Sequence, residues 1–227
     1  MNIAIIGYGK MGKEIESICA SKGHSVELKI NSKNTHLLNT KNLSNIDLAI
    51  EFSNPDAAFD NIAFCLNNNL PVISGTTGWL KQLPKIKELC QITQGSFLHS
   101  SNFSIGMNIF IEILKKTNSL TQSLDYKMDI LETHHTSKKD SPSGTALLLK
   151  ELILNELTHD IKIPIKSRRI GQNYGEHTLT FSSNIDTIQL SHKANNRSGF
   201  AKGSILAAEF ILHKTGFFSM KDVINNL

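Results

Sequence analysis

The sequence predicts an α/β protein: a parallel sheet with helices on both faces, followed by a second part of α+β character. Three observations carry that reading. Short apolar runs alternate with amphipathic helical stretches from Asn2 to His99, the signature of strands joined by helical crossovers. A glycine-rich turn separates the first run from the first helical stretch. Beyond Phe103 the texture changes to a helical stretch followed by runs of period-two alternation.

Each element follows from its local pattern. Asn2–Ile6 reads as a buried strand, Lys10–Lys22 as a helix and Ser25–Ile30 as a second strand. Ile46–Ile50 is a third strand. Asn54-Pro55-Asp56 opens a helix over Pro55–Asn67, because Asn caps and Pro suits the first turn. Leu70–Ser74 is a fourth strand, Leu80–Ile92 a helix and Ser96–His99 a fifth strand. In the second part, Ile105–Asn118 has helical spacing, Tyr126–Glu132 alternates as a strand, and Ser143–Leu157 opens after Pro142 as a helix. Strand-like stretches over Ile163–Ile170, His177–Ser182 and Thr187–Ala194 follow, and Ala201–Lys214 and Met220–Asn226 are helical again.

Composition bounds the function. The 227 residues are 40% hydrophobic and 19% charged, with a net charge of +4. That is enough apolar material for an ordinary core and too little charge for disorder. The basic residues are spread along the chain, so no nucleic-acid partner is expected, and a small anionic substrate suits the balance. Cys19, Cys65 and Cys90 lie far apart with no CxxC pair. A disulfide framework or structural zinc is not expected, and a reducing cytoplasm is the natural compartment. The first residues lack a basic n-region and a long h-region, and no run of about 18 apolar residues exists, so neither a signal peptide nor a membrane partner is expected.

Chemistry concentrates in four places. Gly7-Tyr8-Gly9-Lys10-Met11-Gly12 is a GxGxxG between a predicted strand and a predicted helix. Gly7 makes the tight turn, Gly9 admits a pyrophosphate and Gly12 allows close helix–strand packing, as in a Rossmann-like dinucleotide-binding domain. The acidic residue expected about 20 residues later is absent. Asn31 stands there, able to bond a ribose hydroxyl, with Lys33 near enough to attract a 2′-phosphate, so both NADH and NADPH remain open. Gly75-Thr76-Thr77-Gly78 and Ser100-Ser101-Asn102-Phe103 lie at the C-terminal ends of predicted strands, where parallel sheets bind ligands. The densest segment runs from Glu132 to Ala146, with His134, His135, Lys138, Lys139 and Ser143-Gly144-Thr145. It offers proton donors, cationic handles and a helix N-terminus suited to a carboxylate. His134 and His135 point to opposite faces if they lie on a strand, and no CxxC or HExxH accompanies them, so no metal is expected.

GYGKMG, FSNP (52–55), SGTTG (74–78), SNFSIGMN (101–108) and ETHHTSKKDSPSGTA (132–146), in this order, resemble the dihydrodipicolinate reductase family. The similarity continues through Gly175-Glu176-His177 and His192-Lys193-Ala194. The resemblance implies a cytoplasmic, NAD(P)H-dependent oxidoreductase of lysine and diaminopimelate biosynthesis that reduces a small cyclic dicarboxylate. It implies a homotetramer, with residues 1–103 and 198–227 forming the dinucleotide domain and 104–197 the substrate and tetramerisation domain. It makes His134 and Lys138 the catalytic pair, and gives His135, Ser143, Gly144 and Thr145 the substrate carboxylates. Thr77 then lies where cofactor and substrate meet. Gly7 to Gly12, Gly75 to Thr77 and Ser100 to Phe103 contact the dinucleotide. Two rivals stand beside this reading: another small NAD(P)-dependent dehydrogenase, and a dinucleotide-sensing module without turnover.

Overall fold

The computed structural model describes residues 1–155, 161–196 and 198–227. The chain divides into two compact units, Met1–Ile105 with Ser198–Leu227, and Gly106–Arg197.

The first unit is built on six strands, all neighbouring pairs parallel. They are β1 (Asn2–Ile6), β2 (Ser25–Ile30), β3 (Leu48–Glu51), β4 (Val72–Ser74), β5 (Ser96–His99) and a short terminal β10 (Gly216–Phe218). Their order is β10-β5-β4-β3-β1-β2. Helix α1 (Lys10–Ser21) follows β1, and the C-terminal α6 (Ser198–Ile211) and α7 (Met220–Ile224) share its apolar layer, with Ile15, Ile205 and Val223 in one cluster. On the other face α2 (Pro55–Asn67) and α3 (Leu83–Ile92) bury Ile62, Leu66 and Ile86 against Ala4, Ala49 and Phe97. The central strands therefore read as continuous apolar runs, because both of their faces are covered.

Local chemistry sets the boundaries. Asn54 caps α2, its side chain accepting from the Asp56 and Ala57 N–H groups, and Pro55 follows. The predicted helix over Leu80–Ile92 is instead a 3₁₀ turn at Leu80–Gln82 followed by α3. Pro84 explains the break, since a continuous helix would need an N–H that proline lacks. The fourth strand starts at Val72 rather than Leu70, after Pro71. After β2 the chain forms two 3₁₀ turns, Thr35–Leu37 and Thr40–Leu43.

The second unit has a four-stranded mixed sheet, ordered β7-β6-β8-β9. The strands are β6 (Lys127–His134), β7 (Ile165–Arg169), β8 (Glu176–Ser182) and β9 (Thr187–Lys193). β7 runs parallel to β6, and β8 and β9 are antiparallel neighbours. Helices α4 (Ile105–Thr121) and α5 (Gly144–Leu154) contribute Phe110, Leu114, Leu149 and Ile153 to a core shared with Met128, Ile130, Leu179 and Phe181. The predicted helix to Leu157 ends at Leu154, and its last two positions, 156–157, lie outside the described residues.

Candidate active site

In the first unit, β1 is flanked by β2 on one side and β3 on the other, so the strand order reverses there. A cavity of about 360 Å³ opens at the C-terminal ends of these three strands, lined by Gly7, Tyr8, Gly9, Asn31, Phe52 and Ser53 among others. This is where open parallel sheets hold dinucleotides. Gly7 has φ +100°, and a Cβ there would stand 2.0 Å from the Phe52 carbonyl oxygen, so the turn requires glycine. Gly12 packs against the Gly7 carbonyl, where a Cβ would come to 2.8 Å. Gly9 is different: nothing lies within 4 Å of a Cβ built on it. Gly9 also caps α1 without any side-chain acceptor, which leaves the first-turn amides to a ligand. That open cradle fits a pyrophosphate.

Lys10 is exposed and Met11 half-buried on the first turn of α1. The turn after β2 is tied together by its own side chains. Asn31 Oδ1 accepts from the Lys33 N–H at 2.9 Å, and Asn34 Oδ1 accepts from the Asn31 N–H at 2.7 Å. Lys33 is exposed beside it. Lys29 turns away to Glu16, 2.5 Å from its carboxylate, which also accepts a bond from the Tyr8 hydroxyl.

The segments 75–77 and 100–103 do not line this cavity. They continue along the same edge of the sheet, after β4 and β5. What joins the 75–77 segment to it is Glu51, a residue the sequence reading missed. Its fully buried carboxyl accepts from the Ser53 N–H (2.9 Å), the Ser53 hydroxyl, Ser74 Oγ (2.6 Å) and Thr76 Oγ1 (2.9 Å). Thr76 is thus buried and committed to Glu51, while Thr77 is exposed. Ser100 donates its N–H to the Ser74 carbonyl and its hydroxyl to Asn102 O. Ser101 is exposed, and the Phe103 side chain is buried in the core 5.5 Å from the Phe52 ring, leaving only its backbone for a ligand.

In the second unit, β6 runs on to His134, two residues further than its pattern predicts. Residues 132 and 134 share one face of the strand, and Glu132, His134 and His177 are all buried there. His134 Nδ1 bonds Glu132 Oε2. The other oxygen accepts from Arg169 Nη1 at 2.9 Å and from the Ser143 N–H at 3.3 Å. The His177 ring stands edge-on to His134 with centroids 5.1 Å apart. Burial pushes the Glu132 carboxyl up, but hydrogen bonds from Ser167, Arg169 and His134 outweigh it and hold the group below the ordinary carboxylate range. For His134 the balance is opposite: burial lowers its pKa more than Glu132 raises it. His177 is pushed down to about 4 by burial and by His134. Burial thus favours the neutral form of both rings.

The loop from His135 carries the remaining groups. His135 Nδ1 lies 2.8 Å from Ser137 Oγ, and Lys138 Nζ is 2.8 Å from Asp140 Oδ2, not directed at Lys139. Ser143 caps α5, its hydroxyl accepting from the Ala146 N–H at 3.2 Å, so its side chain has a structural task. Gly144 and Thr145 form the first turn, and a Cβ on Gly144 would meet nothing within 4 Å. His134 and Ser143 thus both bond Glu132, and Lys138 lies on the loop between them, paired with Asp140. Arg169 and His177 join them by strand register, a signal no local motif carries. One donor atom each from Glu132, His134 and His177 also lies within 4.8 Å of the others, a spacing open to a metal ion. The carboxylate is already engaged by the His134 ring and by the fixed positive charge of Arg169, which opposes a cation at the same oxygens.

The chain resembles known proteins along its length. Residues 1–103 match the family model for the N-terminus of dihydrodipicolinate reductase and residues 106–224 the model for its C-terminus. The chain is 43% identical to 4-hydroxy-tetrahydrodipicolinate reductase of Christiangramia forsetii, over 100% of this chain and 99% of that protein. It is 35% identical to the same-named protein of Thermosipho africanus, over 99% and 98%. The fold matches dipicolinate-bound dihydrodipicolinate reductase from Paenisporosarcina sp. TG-14, with a TM-score of 0.78 at 22% identity, covering 96% of this chain and 97% of that one. A GxGxxG cradle, a histidine–lysine loop and family models matching nearly the whole sequence lead to one conclusion: this chain belongs to the dihydrodipicolinate reductase family.

Proposed function

We propose that the chain is a 4-hydroxy-tetrahydrodipicolinate reductase, an NAD(P)H-dependent oxidoreductase of lysine and diaminopimelate biosynthesis. The observation that carries the reading is the buried Glu132 carboxylate that bonds His134 and the Ser143 amide at the start of α5, with Lys138 held by Asp140 on the loop between them. Two relatives at 43% and 35% identity carry that enzyme's name. The similar fold with dipicolinate bound holds a flat ring bearing two carboxylates.

Residues 1–103 and 198–227 serve as the dinucleotide part, and 104–197 as the substrate and oligomerisation part. Gly7 to Gly12 hold the pyrophosphate, Asn31 and Lys33 face the ribose, and Gly75 to Thr77 with Ser100 to Phe103 continue the site. Once the 4-hydroxyl of the substrate has left as water, a bound reduced nicotinamide would supply the hydride that ring carbon four takes up. Lys138 donates the proton that the adjacent carbon takes up, while burial favours the neutral form of His134. His134 orients and stabilises through Nε2. His135, Ser143, Gly144 and Thr145 hold the substrate carboxylates at the positive end of α5. Thr77 binds the substrate, as the family's SGTTG motif implies.

Both NADH and NADPH serve, because the turn after β2 presents Asn31 and exposed Lys33 rather than a carboxylate that would repel a 2′-phosphate. The assembly is a homotetramer. Helices α4 and α5 pack on one face of the second sheet, leaving the face of Leu131, Thr133, Ile170 and Thr178 for another subunit. The compartment is the cytoplasm, where free Cys19, Cys65 and Cys90 stay reduced. Among the described residues no helix is long and apolar enough to cross a membrane.

The test mixes the protein with NADH or NADPH and the condensation product of aspartate semialdehyde and pyruvate, and follows the reduced nicotinamide by absorbance. Enzyme-dependent loss is expected, and no loss overturns the reading. Lys138→Ala should lower turnover by about 10²-fold or more while dinucleotide affinity holds. A variant that fails to bind dinucleotide would show the role to be misassigned.

A further inference from the structure

We propose that Glu132 and Arg169 form a positioning pair: the carboxylate fixes which ring nitrogen of His134 carries the proton, and the guanidinium fastens to that carboxylate the loop bearing Lys138. This deepens the reading above, in which His134 and Lys138 meet the substrate.

The argument starts from donors and acceptors. Glu132 is fully buried, and its carboxylate can only accept. It bonds His134 at Nδ1, so that nitrogen carries the hydrogen and Nε2 presents a lone pair. Nε2 faces Gly175, where a Cβ would come within 3.1 Å, and Gly175 itself has φ +132°. Glycine there keeps the nitrogen open. The two oxygens of Glu132 thus divide their work, Oε2 to the ring and Oε1 to Arg169 and the Ser143 N–H.

Arg169 does two things at once. It stands opposite His134 in the β6–β7 register. Its Nη1 reaches Glu132 at 2.9 Å, and its Nη2 donates to the Asp140 carbonyl at 2.5 Å. Asp140 in turn pairs through its carboxylate with Lys138 at 2.8 Å. One connected path therefore runs from Glu132 through Arg169 and Asp140 to Lys138, and a second from Glu132 to His134. The planar fork of Arg can span two acceptors in fixed geometry, whereas a lysine is a single point charge. A buried ion pair is a weak device for stability alone, because desolvation offsets its attraction. An apolar pair would fill the space, but it could not choose a tautomer. Among the described residues, the other charged or titratable groups facing His134 are His177 from β8 and Lys138 from the loop, and neither is an acceptor-only group placed at Nδ1.

Two variants separate the two tasks. In Glu132→Gln the new amide can donate to Nδ1, so His134 should move toward the Nε2–H tautomer. The readout is the ¹⁵N ring shifts of His134 in the substrate-free protein. Turnover should fall by about 10- to 100-fold, by analogy with tautomer and outer-shell losses in other sites, with the KM for dinucleotide unchanged. Arg169→Lys should keep the Nδ1–H tautomer yet lower kcat, because the tie to Asp140 is lost. Glu132→Gln strands the Arg169 charge, so the double variant Glu132→Gln/Arg169→Met is made alongside. Each variant is checked for native dinucleotide binding and a cooperative thermal transition. A folded Glu132 variant that keeps Nδ1–H, or whose kcat matches the wild type, overturns the proposal. The tautomer is read without substrate, so it stands or falls separately from the substrate assignment, which fails if Lys138→Ala and His134→Ala leave turnover intact.

Discussion

Gly7 and Gly9 sit two residues apart in one motif and do opposite work. Gly7 holds φ +100° beneath the Phe52 carbonyl, so alanine there strains the backbone and collides with main chain. Gly7→Ala should cost about 2–3 kcal/mol of stability. Gly9 has φ −98° and empty space where a Cβ would go. Gly9→Ala should stay within about 0.5 kcal/mol of wild type and weaken dinucleotide binding by at least about tenfold, or ~1.4 kcal/mol. Thermal unfolding and a fluorescence titration of NADPH distinguish the two; equal binding by Gly9→Ala would mean that no phosphate approaches this backbone. The same scale decides cofactor choice. An exposed lysine against a phosphate contributes about 0.5–1 kcal/mol, a several-fold preference at most. Dual use is the expected outcome, with NADPH equal to or modestly better than NADH. Asn31→Asp should move the ratio of kcat/KM values toward NADH. A wild-type preference for NADH of about a hundredfold, some 2.7 kcal/mol, would place the determinant outside this turn.

At the level of elements, strand ends matter more than strand middles. Glu51 closes β3 and draws Ser53, Ser74 and Thr76 onto one carboxyl. It thereby shapes the loops after β3 and β4 that flank the cradle. Glu51→Ala leaves the hydroxyls of Ser74 and Thr76 without their acceptor, and each stranded buried polar group costs about 1–3 kcal/mol. The expected result is a loss of several kcal/mol in unfolding free energy by denaturant titration, together with weaker dinucleotide binding. Unchanged stability would show that these loops hold without it. The strands and helices of the first unit were readable because each carries its own period: IAII and LAI run apolar, while the α1 stretch repeats every three to four residues. Gly216–Phe218 was not, since three residues with a leading glycine become a strand only by pairing with β5. The site divides the same way. His134, Lys138 and Ser143 are close in sequence and visible as a motif. Arg169 meets Glu132 across 37 positions through the β6–β7 register. His177 faces Glu132 through the β6–β8 register. An alternating pattern gives the faces of a strand but not its partner's alignment. A glutamate amid IDLAIEF, or two positions before a histidine on a strand, is the local hint that either carboxylate would repay attention.

The whole molecule should be sensitive to acid, and the sign follows from its histidines. His177 is buried with its folded pKa near 4, and Nδ1 is buried without a hydrogen-bond partner among the described residues. Unfolded, the same ring titrates near 6.5. Between these values the unfolded chain binds a proton that the folded chain refuses, so stability rises with pH across that window. The contribution is fully present above about 6.5 and is lost as the pH falls toward 4. About 2.5 pH units at ~1.36 kcal/mol each gives on the order of 3 kcal/mol. His99, His134 and His192 are lowered by burial as well and act in the same direction. Glu132 and Glu209, held below the carboxylate range, add their loss at still lower pH. The protein should therefore weaken steadily from pH 6.5 downward, ahead of ordinary carboxylate protonation. Denaturant unfolding followed at steps of pH gives the slope. His177→Gln, which cannot titrate, should flatten the curve between pH 6.5 and 4 by the largest single share. If wild type and His177→Gln weaken in parallel on acidification, water must reach the His177 ring freely, and the buried histidine row would not be what limits acid stability.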